Sequence, residues 1–401
     1  MGLLDKLLGS PQERFARQVL TAVRDSGVAE ARYLPGQFAI QLRRDSKSAT
    51  PSIAYLGNLF RECAGTGRAE RRARIASFLA AVVYNPGAPD TWDEVAPLLR
   101  PLLRSVSFGL GVPGTAPRPL RRPALPFIAE FVVVDQPTSI MYVTPGQVAS
   151  WGVTERVVYD RARQNLAALA RRTGPMTDDE GAPGQPMALV RMVESGDAYW
   201  ASHLLVDGWL ASQRDAVGGR PVMFIPDTTG VLLTADHGPG LAKIFELIED
   251  EYREAARPIS TMAYTVDHTG AVVPYEVPPD DPVHPAVHRS EVLLAAAEYA
   301  SQASHLDTDA FVARLAVAER PDRSVFSVAT WGEGVDTLLP RADYVSFPSA
   351  DAEPFFVAWH DVTREVDLDP EPGLTPERYR LRSWPHPGVV ERLRKLAATP
   401  G

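Results

Sequence analysis

Hydrophobic spacing near the N-terminus predicts an amphipathic helix with a defined start. Ser10 is the expected N-cap, Pro11 suits the first helical position, and Glu13 completes a capping box. Apolar residues then recur at helical spacing from Phe15 until Gly27, where the helix is expected to end.

Two short alternating runs follow this helix and predict a β-hairpin. They cover residues 31–33 and 37–42, and Pro35 and Gly36 between them are a turn signal. Further helices are expected over 56–64 and 68–83.

The central stretch alternates pairs of strands with longer helices. Residues 127–134 form a branched apolar run too short for a buried helix, so a core strand paired with 139–143 is expected. A helix with an apolar inner face is expected to begin at Thr154. Further strands are expected at 187–193, 222–225, 231–234, 260–266 and 271–275, and further helices at 201–214 and 240–256.

A third patterned region follows a stretch rich in Pro and Asp at 277–285. Its expected helices cover 289–304 and 388–398, and its expected strands cover 324–330, 343–347 and 355–359. Together the patterns predict an α+β fold with mixed or antiparallel sheets and helices packed on one face, in two to three units. The expected units are an N-terminal unit 1–101, a central domain 102–278 and a C-terminal extension 286–401.

Two stretches lack apolar periodicity and are expected to be loops or linkers. Residues 111–123 are rich in Pro and Arg, and residues 174–186 are acidic and rich in Gly and Pro. Arg118, Arg121 and Arg122 give the first of them a basic character suited to an acidic partner, although a solvated loop is the simpler interpretation.

Composition narrows the expected location and partners. The 401 residues carry 41 basic and 50 acidic side chains, and the formal charge of −9 argues against general nucleic-acid binding. Cys63 is the only cysteine, so neither an intramolecular disulfide nor a multi-cysteine zinc site is expected, and a buried apolar role suits it.

The apolar runs are short, which bears on any contact with a membrane. None reaches the length of about 20 residues that a transmembrane helix needs, and we expect a cytoplasmic protein. The leucines within residues 3–8 predict either weak contact with a membrane surface or packing on the protein's own core.

No standard catalytic or cofactor motif is present, so no cofactor and no metal are expected. The sequence contains no Walker loop and no HExxH, GxSxG or CxxC pattern, and Pro113 disqualifies the GxGxxG-like run at 109–114. His284 and His288 have the i, i+4 spacing of helical zinc ligands, but Pro285 between them argues against one continuous helix.

Two Asp-His pairs are candidates for acid–base or metal chemistry if their hairpins are neighbours. Asp236 and His237 end one expected strand, and Asp267 and His268 lie in an expected hairpin turn. Backbone hydrogen bonding in turns and caps places Asp at the same positions, so a structural role is the competing interpretation.

Residues 194–203 are the densest cluster of polar and aromatic groups. Asp197 is expected to cap the helix that follows, and Tyr199, Ser202 and His203 are candidates for a ligand or partner site at the start of that helix. A capped helix with buried aromatic residues explains the same pattern.

Several segments resemble an uncharacterised bacterial family typified by YtpQ, over about residues 100–276. The similarity runs through 103–108, 150–155, 162–166 and 196–202, and continues at 222–227 and 258–260. The family has no established activity and no assigned catalytic residues. The resemblance directs attention to Arg104, Asn165, Asp197 and Ser202, which are expected to form a hydrogen-bonded network beside core elements.

Two functional hypotheses follow from these patterns. The sequence favours a non-enzymatic cytoplasmic protein that binds a protein partner through its C-terminal unit or its long loops, because no acid, base, nucleophile and cofactor set converges in it. The alternative is a hydrolase or small-ligand-binding enzyme with a site within residues 196–268. That alternative requires the side chains of this segment to meet in one pocket.

Overall fold

Helices and strands alternate along the whole chain. The computed structural model describes residues 10–35, 38–43, 52–83, 89–110, 118–136, 139–171, 189–193, 199–228, 230–236, 240–255, 257–349 and 352–400. The predicted α+β class, with mixed and antiparallel sheets, is confirmed. Within these residues, no helix combines the length and the apolarity needed to cross a membrane.

The α-helices of the described chain range from single turns to 20 residues. In chain order they are α1 Pro11–Asp25, α2 Gly57–Glu62, α3 Arg68–Val83, α4 Trp92–Val95, α5 Pro145–Ser150, α6 Glu155–Ala170, α7 Trp209–Ser212, α8 Arg214–Val217, α9 Leu241–Glu254, α10 His284–Ala303, α11 Trp359–Glu365 and α12 Pro387–Lys395. Short 3₁₀ turns cover Ala96–Leu98 and Trp200–Leu205.

The strands are short and belong to several sheets. In chain order they are β1 Glu30–Leu34, β2 Ala39–Arg43, β3 Ser52–Tyr55, β4 Leu99–Ser105, β5 Arg121–Leu125, β6 Ile128–Gln136, β7 Ser139–Tyr142, β8 Val190–Val193, β9 Pro221–Phe224, β10 Gly230–Ala235, β11 Ala263–Val266, β12 Val272–Pro274, β13 Phe311–Val312, β14 Ala316–Glu319, β15 Val325–Thr330, β16 Thr337–Pro340, β17 Tyr344–Ser349, β18 Ala352–Ala358 and β19 Arg378–Leu381.

Packing divides the chain into two compact units. The first comprises Met1–Arg100, Val133–Val143 and Gln147–Ala162, and the second comprises Pro101–Val132, Thr144–Gly146 and Arg163–Gly401. The expected boundary after residue 101 lies next to the first division, whereas residues 278–286 lie inside the second unit. The division into three units stays a prediction.

The first unit begins with the predicted capping box. Ser10 N–H donates to Glu13 Oε2 at 2.8 Å, and Glu13 N–H donates to Ser10 Oγ at 3.1 Å. The predicted hairpin is confirmed as the antiparallel pair β1–β2, and β3 extends it on the other side of β2. The core between α1 and this sheet also contains the thiol of Cys63, which is buried and free.

The second unit contains a five-stranded antiparallel sheet of order β12-β11-β9-β10-β8. Neighbouring residues of β9 face opposite sides, as strand geometry requires. Phe224 packs with Phe245 of α9, whereas Met223 packs in the cluster that contains the 3₁₀ turn at 200–205 and α7. Helical segments therefore cover both faces of this sheet, whereas helices on one face were expected.

Three local predictions in the second unit were wrong. The helix expected over 201–214 is a 3₁₀ turn followed by α7 and α8, because Gly208 adopts a left-handed φ of +73° between them. The loop expected over 111–123 gives way to β5 at Arg121. The stretch 277–285 does not separate His284 from the following helix: α10 starts at His284, because Pro285 occupies the first turn, where its missing N–H is not needed.

The C-terminal part of the second unit carries two small mixed sheets. One has the order β14-β15-β17-β18, and the other has the order β13-β16-β19. The strands expected at 324–330, 343–347 and 355–359 correspond to β15, β17 and β18, while β13, β14, β16 and β19 were not predicted. Helix α10 lies beside α9, and Arg289 Nε donates to Glu249 Oε2 at 2.8 Å.

Arg378, the first residue of β19, is a fully buried arginine bonded to neutral acceptors. Its Nε donates to Gln302 Oε1 (2.6 Å) and its Nη2 to the Tyr299 carbonyl (3.1 Å), both on α10. Its Nη1 donates to the carbonyls of Ala313 (2.7 Å) and Leu338 (3.1 Å). Burial lowers the pKa of Arg378 to about 10, so the guanidinium stays charged at neutral pH.

Replacing Arg378 by Met is expected to lower the free energy of unfolding by about 3 kcal/mol or more, because several buried carbonyl groups lose their donor. Urea unfolding measures this change. The matched control is Arg382→Met: Arg382 lies just after the same strand and is two-thirds exposed, at 66%, so its loss is expected to cost at most about 0.5 kcal/mol. Equal effects of the two substitutions would contradict the role assigned to Arg378.

Candidate functional site

Ser202 and His203 lie in the core of the second unit. Ser202 is fully buried, and its Oγ accepts a hydrogen bond of 3.2 Å from the Leu103 N–H. His203 is also fully buried, between the rings of Trp200 and Trp209, with centroid distances of 4.9 and 4.8 Å. Both side chains therefore hold the 3₁₀ turn in place.

Tyr199 precedes this turn and is buried as well. The Nδ1 atom of His203 lies 3.0 Å from the Tyr199 carbonyl oxygen, within hydrogen-bond distance. Asp197 lies outside the described residues. Tyr199, Ser202 and His203 are therefore buried side chains that a ligand on the surface would not contact.

Asp236 directly follows β10 and takes part in a polar cluster. Its Oδ1 accepts a hydrogen bond of 2.6 Å from the Tyr275 hydroxyl, and its Oδ2 lies 3.2 Å from Arg220 Nη1. Arg220 also donates from Nε to the Val266 carbonyl at 2.9 Å. Burial, and then the Asp236 carboxylate, raise the pKa of Tyr275 above its usual range, so Tyr275 remains a donor at neutral pH.

Asp267 and His268 form the predicted hairpin turn between β11 and β12. Asp267 Oδ1 accepts from the Thr269 hydroxyl (2.6 Å), the Thr269 N–H (2.8 Å) and the Ala271 N–H (3.0 Å). The bond from the Thr269 hydroxyl is the main reason that the pKa of Asp267 lies below its usual value. These contacts are the turn chemistry that sequence reasoning weighed against a catalytic role.

The described members of the two Asp-His pairs and of the 199–203 cluster do not share a cavity. His268 is exposed, His203 is fully buried, and His237 lies outside the described residues. A cavity of 460 Å³ does lie between 204–208 and 269–272, but neither His203 nor His268 lines it. The structure thus gives the described candidates separate structural partners.

The network expected among Arg104, Asn165, Asp197 and Ser202 stays a prediction, and a different polar group lies on β6. Glu130 on β6 is fully buried and accepts hydrogen bonds from Arg122 Nε (2.7 Å) and from Arg163 Nε (2.9 Å) and Nη2 (2.6 Å). Arg104 instead donates from Nη1 to the Leu103 carbonyl, and Asn165 is half-buried on α6. Sequence reasoning missed Glu130 because a single acid in an apolar run carries no sign of its partners.

A group that the sequence did not predict lies where α10 faces the start of β17. His288 Nε2 on α10 lies 3.3 Å from Asp343 Oδ2. The same oxygen accepts from the Ser327 N–H (2.7 Å) and the Ser327 hydroxyl (2.9 Å), and the Asp343 N–H donates back to Ser327 Oγ at 2.9 Å. Ser327 therefore fixes the carboxylate, and the carboxylate fixes the imidazole.

The electrostatics of this pair favour a charged histidine. The hydrogen bond to Asp343 is the main cause that raises the pKa of His288, and Glu291 adds to it, while burial and Arg320 oppose it. Burial opposes ionisation of Asp343, but the bonds from His288 and Ser327 outweigh burial and lower its pKa. The two shifts agree, and they describe an ion pair that is partly shielded from solvent.

The pair lines a cleft of 330 Å³. The remaining lining is mostly aromatic and apolar, with one arginine and one further carboxylate, and it includes Phe127, Glu291, Tyr299, Arg341, Trp359 and His360. Tyr299 is held at the base, because its hydroxyl donates to the Glu377 carbonyl at 2.9 Å and lies 3.4 Å from the Arg341 N–H. An oriented imidazole beside an arginine can bind an anion or hold a proton at a defined atom.

His284 and His288 lie on one face of α10 after all, with stacked rings and a centroid distance of 6.1 Å. Helix α10 is continuous through Pro285, so the two histidines share the helix face that Pro285 was expected to disrupt. Within the described chain, however, no cluster of three or more His, Cys, Asp or Glu residues is arranged to hold a metal ion.

Comparisons with known proteins identify no relative: no family model matches the chain, and neither a curated protein nor a solved structure matches it significantly. The resemblance to the YtpQ-like family stays a prediction, and the cleft at His288 lies almost entirely outside the residues that carry it.

Replacing His288 by Gln is expected to lower the free energy of unfolding by about 1.5 kcal/mol at mildly acidic pH, because the charged hydrogen bond to Asp343 is lost. Since the folded pKa of His288 is raised, its contribution is complete below the unfolded pKa and disappears as the pH rises through the folded pKa. Urea unfolding of both proteins across this range measures the difference. A difference that grows with rising pH would contradict the ion pair.

Proposed function

We propose that this chain acts by binding a protein partner in the cytoplasm, through an extended segment of that partner that pairs with strand β14. The free and buried thiol of Cys63 suits a reducing compartment. The surface that supports this proposal lies in the C-terminal part, outside residues 100–276, which resemble the YtpQ-like family. The sections of chain that flank β14 also carry exposed apolar residues.

The main support for this proposal is the difference between the two edges of the sheet β14-β15-β17-β18. The β18 edge is covered, since the Ala398 N–H donates to the Phe356 carbonyl at 2.9 Å and α12 packs on this strand. At the other edge, all four residues of β14 are exposed. Within the described chain, β14 pairs with β15 alone.

The backbone of Val317 points outward from this open edge. Val317 lies opposite Ser327 in the antiparallel pair β14–β15. The Ser327 N–H donates to Asp343 and not to Val317. Three positions further along the same pair of strands, the Arg320 N–H donates to the Ser324 carbonyl. Since hydrogen-bonded and non-hydrogen-bonded pairs alternate along an antiparallel pair, Val317 and Ser327 form a non-hydrogen-bonded pair. The N–H and C=O of Val317 therefore face away from β15.

Exposed apolar side chains lie close to this edge in the chain. Val317 is 37% exposed on β14, and Phe311 is 53% exposed on β13. Val335 is 40% exposed and adjoins Asp336, whose carbonyl accepts from the Phe311 N–H at 2.8 Å. An open strand edge with nearby apolar groups is the surface that strand addition uses: main-chain hydrogen bonds give affinity, and side chains give specificity.

The alternative of a hydrolase or small-ligand enzyme within 196–268 has less support. It needs a shared pocket, and the described candidates bond to turn and core groups instead. We therefore favour the binding function.

Val317→Pro is expected to reduce recovery of the partner by about tenfold or more, because proline removes an outward N–H from the edge. The fold is expected to persist, since proline is tolerated where the N–H faces solvent on an edge strand. Quantitative mass spectrometry after affinity purification of the chain at its native expression level measures the recovery.

The matched control is Val317→Thr, which keeps the N–H and the branched shape and is expected to retain the partner. Recovery of the chain alone, or equal recovery of the partner with the proline variant, would refute strand addition at β14.

A further inference from the structure

We infer that the cleft between α10 and the start of β17 binds a small aryl anion, meaning an aromatic body that carries one carboxylate or phosphate group. The recognising groups are His288, Arg341 and Trp359. The ligand proposed for this site does not depend on the proposed protein partner, although Leu315 and Ser327 of the lining adjoin β14.

The positive groups of the cleft are arranged for an anion. His288 is oriented by Asp343, and Arg341 is exposed at the rim. Within the described chain no carboxylate lies at ion-pair distance from Arg341. The charge of His288 is balanced by Asp343, so Arg341 is the cation of the lining that a bound anion can neutralise and accept hydrogen bonds from.

The carboxylates of the cleft do not prevent an anion from binding. Asp343 Oδ2 is already engaged by His288 and by two donors of Ser327. Glu291 is the other carboxylate of the lining, and it is solvent-exposed on α10. Arg320 acts on His288 from the turn after β14 and adds a third positive charge nearby. Outside the His288–Asp343 pair, Arg341 and the nearby Arg320 face one carboxylate, Glu291, so one positive charge is in excess.

The aromatic lining selects for a planar body. Trp359 starts α11 and is half-buried, with its ring 5.4 Å from that of Tyr379. Phe127 and Tyr299 meet edge to face, at a centroid distance of 6.1 Å. Aromatic side chains give contact area at a low entropic cost, since each has only two rotatable bonds. The cleft volume of 330 Å³ lies at the lower end of the range of about 300–1,000 Å³ for small-molecule sites.

Titration calorimetry of the full chain with three probes tests this site: phenyl phosphate, benzoate and inorganic phosphate. Both aryl anions are expected to bind, and inorganic phosphate is expected to bind about tenfold more weakly or not at all. The tighter of the two aryl probes identifies the preferred head group. Arg341→Gln is expected to weaken the binding of the aryl probes by about tenfold.

Arg341→Gln is a clean variant, because Arg341 is exposed and contacts Tyr299 through its backbone N–H. Its control is Arg382→Gln, which removes an exposed arginine whose nearest acid is Glu371 at 3.8 Å, and which is expected to leave binding unchanged. Val317→Pro is likewise expected to bind the probes normally, so the two proposals fail separately.

Three results would overturn the inference. The first is no binding of any probe at about 10 mM. The second is equal binding of aryl and inorganic anions, which shows charge attraction without an aryl site. The third is unchanged binding by Arg341→Gln, which places the probe elsewhere.

Discussion

A buried guanidinium without a carboxylate partner holds the C-terminal part together. Arg378 gives its hydrogen bonds to carbonyls and to one side-chain amide, and its Cζ atom lies 5.0 Å from the centre of the Tyr299 ring. Such a charge is costly to bury unless its donors are satisfied. The C-terminal end of α10 helps, because its dipole favours a cation there. One residue thereby fixes the distance of α10 from β16 and β19.

The hydrogen bonds of Arg378 also determine the shape of the cleft that His288 lines. Tyr299 accepts from Arg378 through its carbonyl and contributes its ring to the cleft, while its hydroxyl contacts the backbone of Arg341. On α10, Glu298 immediately before Tyr299 and Val292 about two turns before it belong to the buried face of the helix. Burial raises the pKa of Glu298, although the Ser107 N–H donates to it. A change that disorders α10 is therefore expected to disorder the cleft as well.

Sequence reasoning succeeded where a local pattern determines the local structure. The capping box at Ser10, the span of α3 and the hairpin turn at Asp267 depend on neighbours within a few positions. It failed where contacts between residues far apart in the chain determine the structure. His288 and Asp343 are 55 positions apart, and nothing near either residue indicates the other. Glu130 and Arg378 gave no signal for the same reason, since each depends on partners from other elements. The start of α10 was misjudged because Pro285 was weighed as a breaker and not as a first-turn residue.

The cover over β18 has a consequence for how copies of this chain stay apart. The segment that follows α12 occupies the outer edge of β18 through the bond from Ala398 to Phe356. Removal of that segment would leave one sheet with two bare edges at opposite ends, β14 and β18. Such a sheet is self-complementary in a head-to-tail sense, and that contact does not close into a ring of two. The bond from Ala398 therefore covers part of the edge at which the β14 of another copy would otherwise be able to pair.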